Sequence, residues 1–200
     1  MAPSIGTMRT HLPEGEALAI GLGANLTSTV GGPLETLVAV RPRLEQMLSD
    51  WAGLTCPLRW SPLFRTAPVG GPPGQPDYLN AVLVAEVALW PSVPEALKLL
   101  GRLQQLELAF GRQRLEHWGP RTLDLDLLWW GELRCSQSGL ELPHPRWHER
   151  AFVLAPLLAI DRDGGTPLPP LRHCVGADHL FAQEFDSSVQ LVTPSPIGWR

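Results

Sequence analysis

The chain has 200 residues, 44% hydrophobic and 18% charged, with a formal net charge of −4 at pH 7, and its basic side chains are all Arg except Lys98. Lys98 sits in Ala-Leu-Lys-Leu-Leu, which excludes a P-loop or protein-kinase lysine and makes Schiff-base chemistry a poor candidate. The acidic balance disfavours broad nucleic-acid or membrane binding, and Cys56, Cys135 and Cys174 lack disulfide or zinc spacing.

Residues 1–16 are polar and precede the first apolar run, so they read as a flexible N-terminal extension. Residues 17–186 read as one domain and 187–200 as a flexible C-terminal tail. Ala17–Gly23 is a short strand that stops at Gly-Ala-Asn. Pro33 suits the first turn of a helix running to Leu44 or beyond, which Pro42 should disturb. A second strand spans Leu54–Arg65 and leads into the Pro- and Gly-rich loop Thr66–Asp77. In the strand Tyr78–Leu89, side chains alternate faces, so Tyr78 and Asn80 point the same way. Ser92 with Glu95 three residues on has the spacing of a capping box, which predicts a helix to about Phe110. Gly111–Pro120 is a charged loop, Arg121–Trp130 a strand and Leu140–Leu142 a shorter one. Trp147–Ile160 reads as a helix interrupted at Pro156. The βαββαβ order implies an α+β, ferredoxin-like core, a largely antiparallel sheet with helices packed on it. No run approaches the roughly 20 apolar residues of a membrane span, and a cytoplasmic protein is expected.

Chemistry concentrates in Glu107–Asp126. Along Arg121–Leu128, Asp124 and Asp126 share one strand face while Leu123, Leu125 and Leu127 take the other. Two carboxylates side by side repel unless cations lie between them, which suits Mg²⁺ shared with substrate phosphates; a solvated face paired with Arg is the plainer alternative. Arg112, Arg114 and Arg121, with Arg102 earlier, concentrate planar cations suited to phosphate oxygens, or to surface pairs with Glu107 and Glu116. Together the Arg cluster and Asp pair resemble a polyphosphate–magnesium site. Gln104 and Glu107 share a helix face and could support it. His144, between two prolines, and Arg150 beyond it are further phosphate candidates.

These residues fall in six ordered blocks: Gly21–Leu26, Phe64–Gly70, Gln75–Ala81, Glu107 with Gly111-Arg112, Trp118–Asp126, and Pro143–Arg146 with Glu149–Phe152. In them the chain resembles the 6-hydroxymethyl-7,8-dihydropterin pyrophosphokinases of folate biosynthesis. The resemblance implies transfer of diphosphate from ATP to the pterin hydroxymethyl group, leaving AMP, with two Mg²⁺ ions. It implies Asp124 and Asp126 as metal ligands, and Arg112 and Arg121 beside them as catalytic residues. Gln104, Glu107, Arg112, Arg114, Arg121, His144 and Arg150 would bind the nucleotide. Thr66, Val69, Tyr78, Asn80, Trp118 and Phe152 would bind the pterin, Tyr78 and Phe152 sandwiching the ring and Asn80 reading its edge. ATP and the pterin are the expected partners of a monomer. Closure of the Val69–Asp77 and Gln113–Pro120 loops would exclude water. Departures from the family pattern are Ala24, Ala67 and Pro145, and the length leaves no room for a fused second enzyme of the pathway. The acceptor of the hydroxyl proton stays open between Asp126 and a bound water.

Two readings from other classes compete. A two-metal nucleotidyl transferase could place two carboxylates on a similar sheet but would release pyrophosphate. A non-catalytic ferredoxin-like module could offer the sheet to RNA, which the net charge disfavours.

Overall fold

The computed structural model describes residues 16–113, 119–162, 189–193 and 198–199. In chain order these form β1 (Glu16–Ala24), α1 (Pro33–Ala52), β2 (Leu58–Trp60), β3 (Phe64–Thr66), β4 (Tyr78–Val87) and α2 (Val93–Ala109). They continue with β5 (Asp124–Trp130), β6 (Cys135–Gln137), β7 (Leu140–Leu142), α3 (Ala151–Arg162) and β8 (Val189–Leu191). The main sheet runs β5-β1-β4-β3-β8, with β2 also paired to β4, and its ladders are antiparallel. This is the α+β, ferredoxin-like arrangement that the element order implies.

Period-two patterning places the layers. Leu18, Ile20 and Leu22 of β1, Leu79, Leu83 and Val87 of β4, and Leu125 and Leu127 of β5 form one buried face. The apolar stripes of α1 (Leu37, Val40, Leu44, Leu48) and α2 (Leu99, Leu103) cover it. On the other face Ala19, Val82, Val84, Leu128 and Trp129 meet Val153, Leu154, Leu157 and Leu158 of α3. The pairing register between β1 and β5 shifts between Ala19 and Ile20, where Ala19 faces Trp129 and Ile20 faces Leu127. Leu128 is the extra residue of this bulge, so the consecutive Leu128 and Trp129 both enter the core on the α3 side, while Trp130 enters the other.

Several elements depart from expectation. α1 continues unbroken past Pro42, which lies on its exposed side while Val40 and Leu44 hold the buried one. The single strand expected over Leu54–Arg65 is two strands. Pro62 has no N–H for the ladder, and the buried Ser61 bridges the gap, its hydroxyl accepting the Val82 N–H at 2.9 Å. No capping box forms at α2. Pro94 stands at the second helical position without an N–H to cap, and Glu95 turns to Lys98 at 2.7 Å. The expected break at Pro156 falls instead at Arg150, whose extended backbone separates a 3₁₀ turn (Trp147–Glu149) from α3.

The tail expected to be flexible is partly seated. Val189–Leu191 form β8 on the edge of β3, and Trp199 is 3% exposed. An open edge of unpaired amides and carbonyls can recruit even a three-residue strand. The N-terminal extension lies outside the described residues. No helix among those described is long and apolar enough to cross a membrane.

Candidate active site

Gly21 and Gly23 lie on β1 between the strands that carry the polar side chains. Gly23 is opposite both Asn80 on β4 and Asp124 on β5; Gly21 is opposite Val82 and Asp126. A Cβ on Gly23 would stand 2.9 Å from Asn80 Oδ1. The bare backbone therefore leaves room for a cavity of about 330 Å³ beside α3, walled by charge on one side and by aromatic and amide groups on the other.

The acidic wall is Asp124 and Asp126, with Leu123, Leu125 and Leu127 buried on the opposite face, as their alternation requires. Arg121 Nη1 lies 2.6 Å from Asp124 Oδ2, and Arg112 Nη1 lies 2.7 Å from Asp124 Oδ1. Arg112 also pairs with Glu107. Glu107, 3% exposed, accepts the Leu125 N–H at 2.8 Å, so it grips β5 between the two aspartates from the helix side. Glu107, Gln104 and Arg112 do not line the cavity itself. Burial, and after it the charge of Asp124, pushes the Asp126 carboxyl up to about 7. Burial opposes the charge on Arg121, but Asp124 beside it holds the guanidinium above its ordinary value.

The cationic wall enters from the segment before α3. The His144 N–H donates to Leu128 O at 2.7 Å, which ties this segment to the bulge of β5. His144 Nδ1 accepts the Arg146 N–H at 3.3 Å, so a neutral ring carries its proton on Nε2. Burial, then the nearby Arg150, lowers the His144 pKa and favours that neutral form. Burial also lowers the pKa of Arg150, whose guanidinium lies 5.4 Å from the Phe152 ring centroid.

The third wall carries aromatic and amide groups. Tyr78 and Asn80 share a face of β4, and Phe152 comes from α3. Asn80, 5% exposed, donates from Nδ2 to Thr66 Oγ1 at 2.7 Å, which fixes which end of its amide faces β1. The Tyr78 hydroxyl donates to Gly119 O at 3.3 Å, and burial raises its pKa. Val69, largely exposed, belongs to the loop after Thr66 that borders the cavity. Arg114 and Trp118 lie outside the described residues.

The motif reading overlooked the parts that shape this space. Asn25, 4% exposed, donates from Nδ2 to Pro76 O at 3.0 Å and accepts the Arg121 N–H at 2.8 Å. It thereby stitches the end of β1 to both cavity loops. The signal for it and for the two glycines was the Gly-x-Gly-x-Asn spacing where an otherwise apolar strand ends. Arg146, also at the cavity, ends the Pro143–Arg146 block, of which only His144 was singled out.

Asp124 and Asp126 offer only oxygen donors, and among the described residues no group of three or more His, Cys, Asp or Glu side chains could hold a metal. Two carboxylates on one strand face, one of them disfavoured as an anion by burial and then by its like neighbour, fit a hard divalent cation whose other ligands are water and phosphate oxygens.

Residues 19–162 match the family described as 7,8-dihydro-6-hydroxymethylpterin-pyrophosphokinase. Three similar proteins are each named 2-amino-4-hydroxy-6-hydroxymethyldihydropteridine pyrophosphokinase. The one from Synechocystis is 40% identical over 74% of this chain and 68% of its own length. That from Haemophilus influenzae is 40% identical over 72% and 81%, and that from Pseudomonas aeruginosa 38% identical over 77% and 85%. With the fold in accord and the match covering most of the chain, the chain belongs to the 7,8-dihydro-6-hydroxymethylpterin-pyrophosphokinase family and transfers diphosphate from ATP to the hydroxymethyldihydropterin of folate synthesis.

Proposed function

We propose that the pterin lies between Tyr78 and Phe152 with its edge on Asn80, and that the ATP phosphates run along Arg121, His144 and Arg150. The observation that carries this reading is the single cavity bounded by both sets of groups, with Gly21 and Gly23 bare between them. Aromatic faces with one amide suit a flat heteroaromatic ring, and convergent guanidinium groups suit a polyphosphate. Thr66 orients Asn80, Val69 and its loop border the ring, and Glu107 holds Arg112 and the backbone between the aspartates in place.

Mg²⁺ bound by Asp124 and Asp126 would neutralise phosphate charge as the bond to the β-phosphorus changes hands. The chain's own work is positioning. In the ligand-free arrangement Arg112 and Arg121 both neutralise Asp124. ATP phosphates offer the two guanidinium groups a second anion, which frees Asp124 to face a cation. His144 donates from Nε2 without needing a charge, and Arg150 faces Asp126 from the opposite wall. The pterin hydroxyl then attacks the β-phosphorus in line and AMP departs. Free thiols at Cys56 and Cys135 support a reducing, cytoplasmic setting.

Family membership sets aside both the nucleotidyl-transferase and the RNA-module readings. The test is product identity: incubated with MgATP, the protein forms AMP only when hydroxymethyldihydropterin is present, and chelating magnesium stops it. Pyrophosphate release, or AMP formed without pterin, overturns the assignment.

A further inference from the structure

The seated part of the C-terminal tail lies beyond residue 162, where the family match ends. β8 pairs with β3 over three positions, Val189 with Thr66, Gln190 with Arg65 and Leu191 with Phe64. The Val192 N–H donates to Leu63 O at 2.9 Å and extends the same contact. A second anchor holds the segment from behind. The Trp199 indole N–H donates to Ser61 O at 3.0 Å, its ring meets Trp60 edge-on at 5.3 Å, and the Arg41 guanidinium lies 5.6 Å from it. Gly198 just before it has φ +89°, and a Cβ there would stand 2.9 Å from Val38 Cγ1. Only glycine delivers Trp199 into this socket without strain.

Both anchors act on residues 61–66, the short segment that ends in Thr66. β3 has only three residues and pairs with β4 over those three. Without β8 it would be a frayed sheet edge, because so short a strand gains little from one ladder. Thr66 holds the Asn80 amide at 2.7 Å, and the cavity loop starts at the next residue. β8 lies at the opposite edge of the sheet from β5, which carries Asp124 and Asp126.

We infer that residues 189–192 and Trp199 act as a strap that positions the pterin-binding wall, setting Thr66 and through it the Asn80 amide, while leaving the phosphate side alone. This rests on the assignment of Asn80 to the pterin. The experiment compares steady-state kinetics for both substrates in the full chain, a chain ending at Ser188, Trp199→Ala, Thr66→Val and Asn80→Ala. The strap predicts a pterin KM raised roughly fivefold by truncation, the worth of about one buried hydrogen bond. Trp199→Ala moves it in the same direction, while the KM for ATP and the turnover stay within about twofold. Thr66→Val gives a similar rise, and truncation combined with Thr66→Val gives no further rise, because both act through one contact. An unchanged pterin KM on truncation, while Asn80→Ala raises it, overturns the strap and spares the pterin assignment. An unchanged pterin KM in Asn80→Ala overturns the assignment and the strap with it. Equal rises for both substrates in the truncated chain and in Trp199→Ala reduce the segment to a general support and overturn its specific role.

Discussion

Beneath α3, Ala19, Val82, Val84, Leu128 and Trp129 are buried, whereas a few residues along the same strands Gly23, Asn80, Asp124 and Asp126 face the cavity. On β4 alone the shared face changes from Tyr78 and Asn80 to Val82 and Val84. The apolar end is stabilised by burial, at roughly 25 cal/mol per Å² removed from water. The open end gains nothing comparable, and it holds Asp124, paired with Arg112 and Arg121, beside Asp126, whose charged form burial and that neighbour disfavour. One end of the face stores stability, and the other spends some of it to hold charged side chains.

The sharpest way to break this comparison is at Asp126. Asp126→Ala is expected to lower AMP formation by orders of magnitude with the fold retained, and a variant running at the wild-type rate would sink the metal assignment. The same position should act in the opposite sense on stability. Its carboxyl is raised from 3.8 to about 7, so the folded state keeps the proton to higher pH than the unfolded chain. That contribution is full below about 4 and lost as pH climbs through about 7. Melting the magnesium-free protein across this range should show the decline, and Asp126→Asn should flatten it, by something on the order of 1–3 kcal/mol at pH 8. Parallel curves for the two proteins would remove the strain from the open end.

At the covered end, Leu157 is fully buried in α3. Leu157→Ala should cost about 2–5 kcal/mol in denaturant unfolding and leave both KM values near wild type. A large change in substrate affinity would mean that the two ends are coupled. The smallest effect is expected at Gly23. Gly23→Ala forces Asn80 aside and should raise the pterin KM about tenfold, a loss near 1.4 kcal/mol in binding, with little change in melting temperature. An unaltered KM would show that the cavity floor has slack.

Much of this was legible in the chain. Alternation assigned Leu123, Leu125 and Leu127 to the core and the two aspartates to the other face, because strand side chains alternate whatever the tertiary context. The same rule put Tyr78 and Asn80 together. The misreadings share a cause: each rested on a local signal that a neighbour overrode. Ser92 and Glu95 have capping spacing, but Pro94 and Lys98 take their partners away. Pro42 marks a helix break, yet buried leucines on the far side of α1 hold it through. The tail looked structureless because three β-forming residues among Ser and Pro carry no period, and only the open edge of β3 gives them a place.

The sequence by itself determined the layers, the order of the core elements and the family, since hydrophobic period and motif spacing are properties of neighbours along the chain. Tertiary structure alone decided that Glu107 works from beneath β5, that Asn25 joins two loops, and that the last strand pairs with the edge of β3. Each of those depends on which backbone groups, distant in sequence, are left without a partner once the sheet has formed, and a buried polar group must find one.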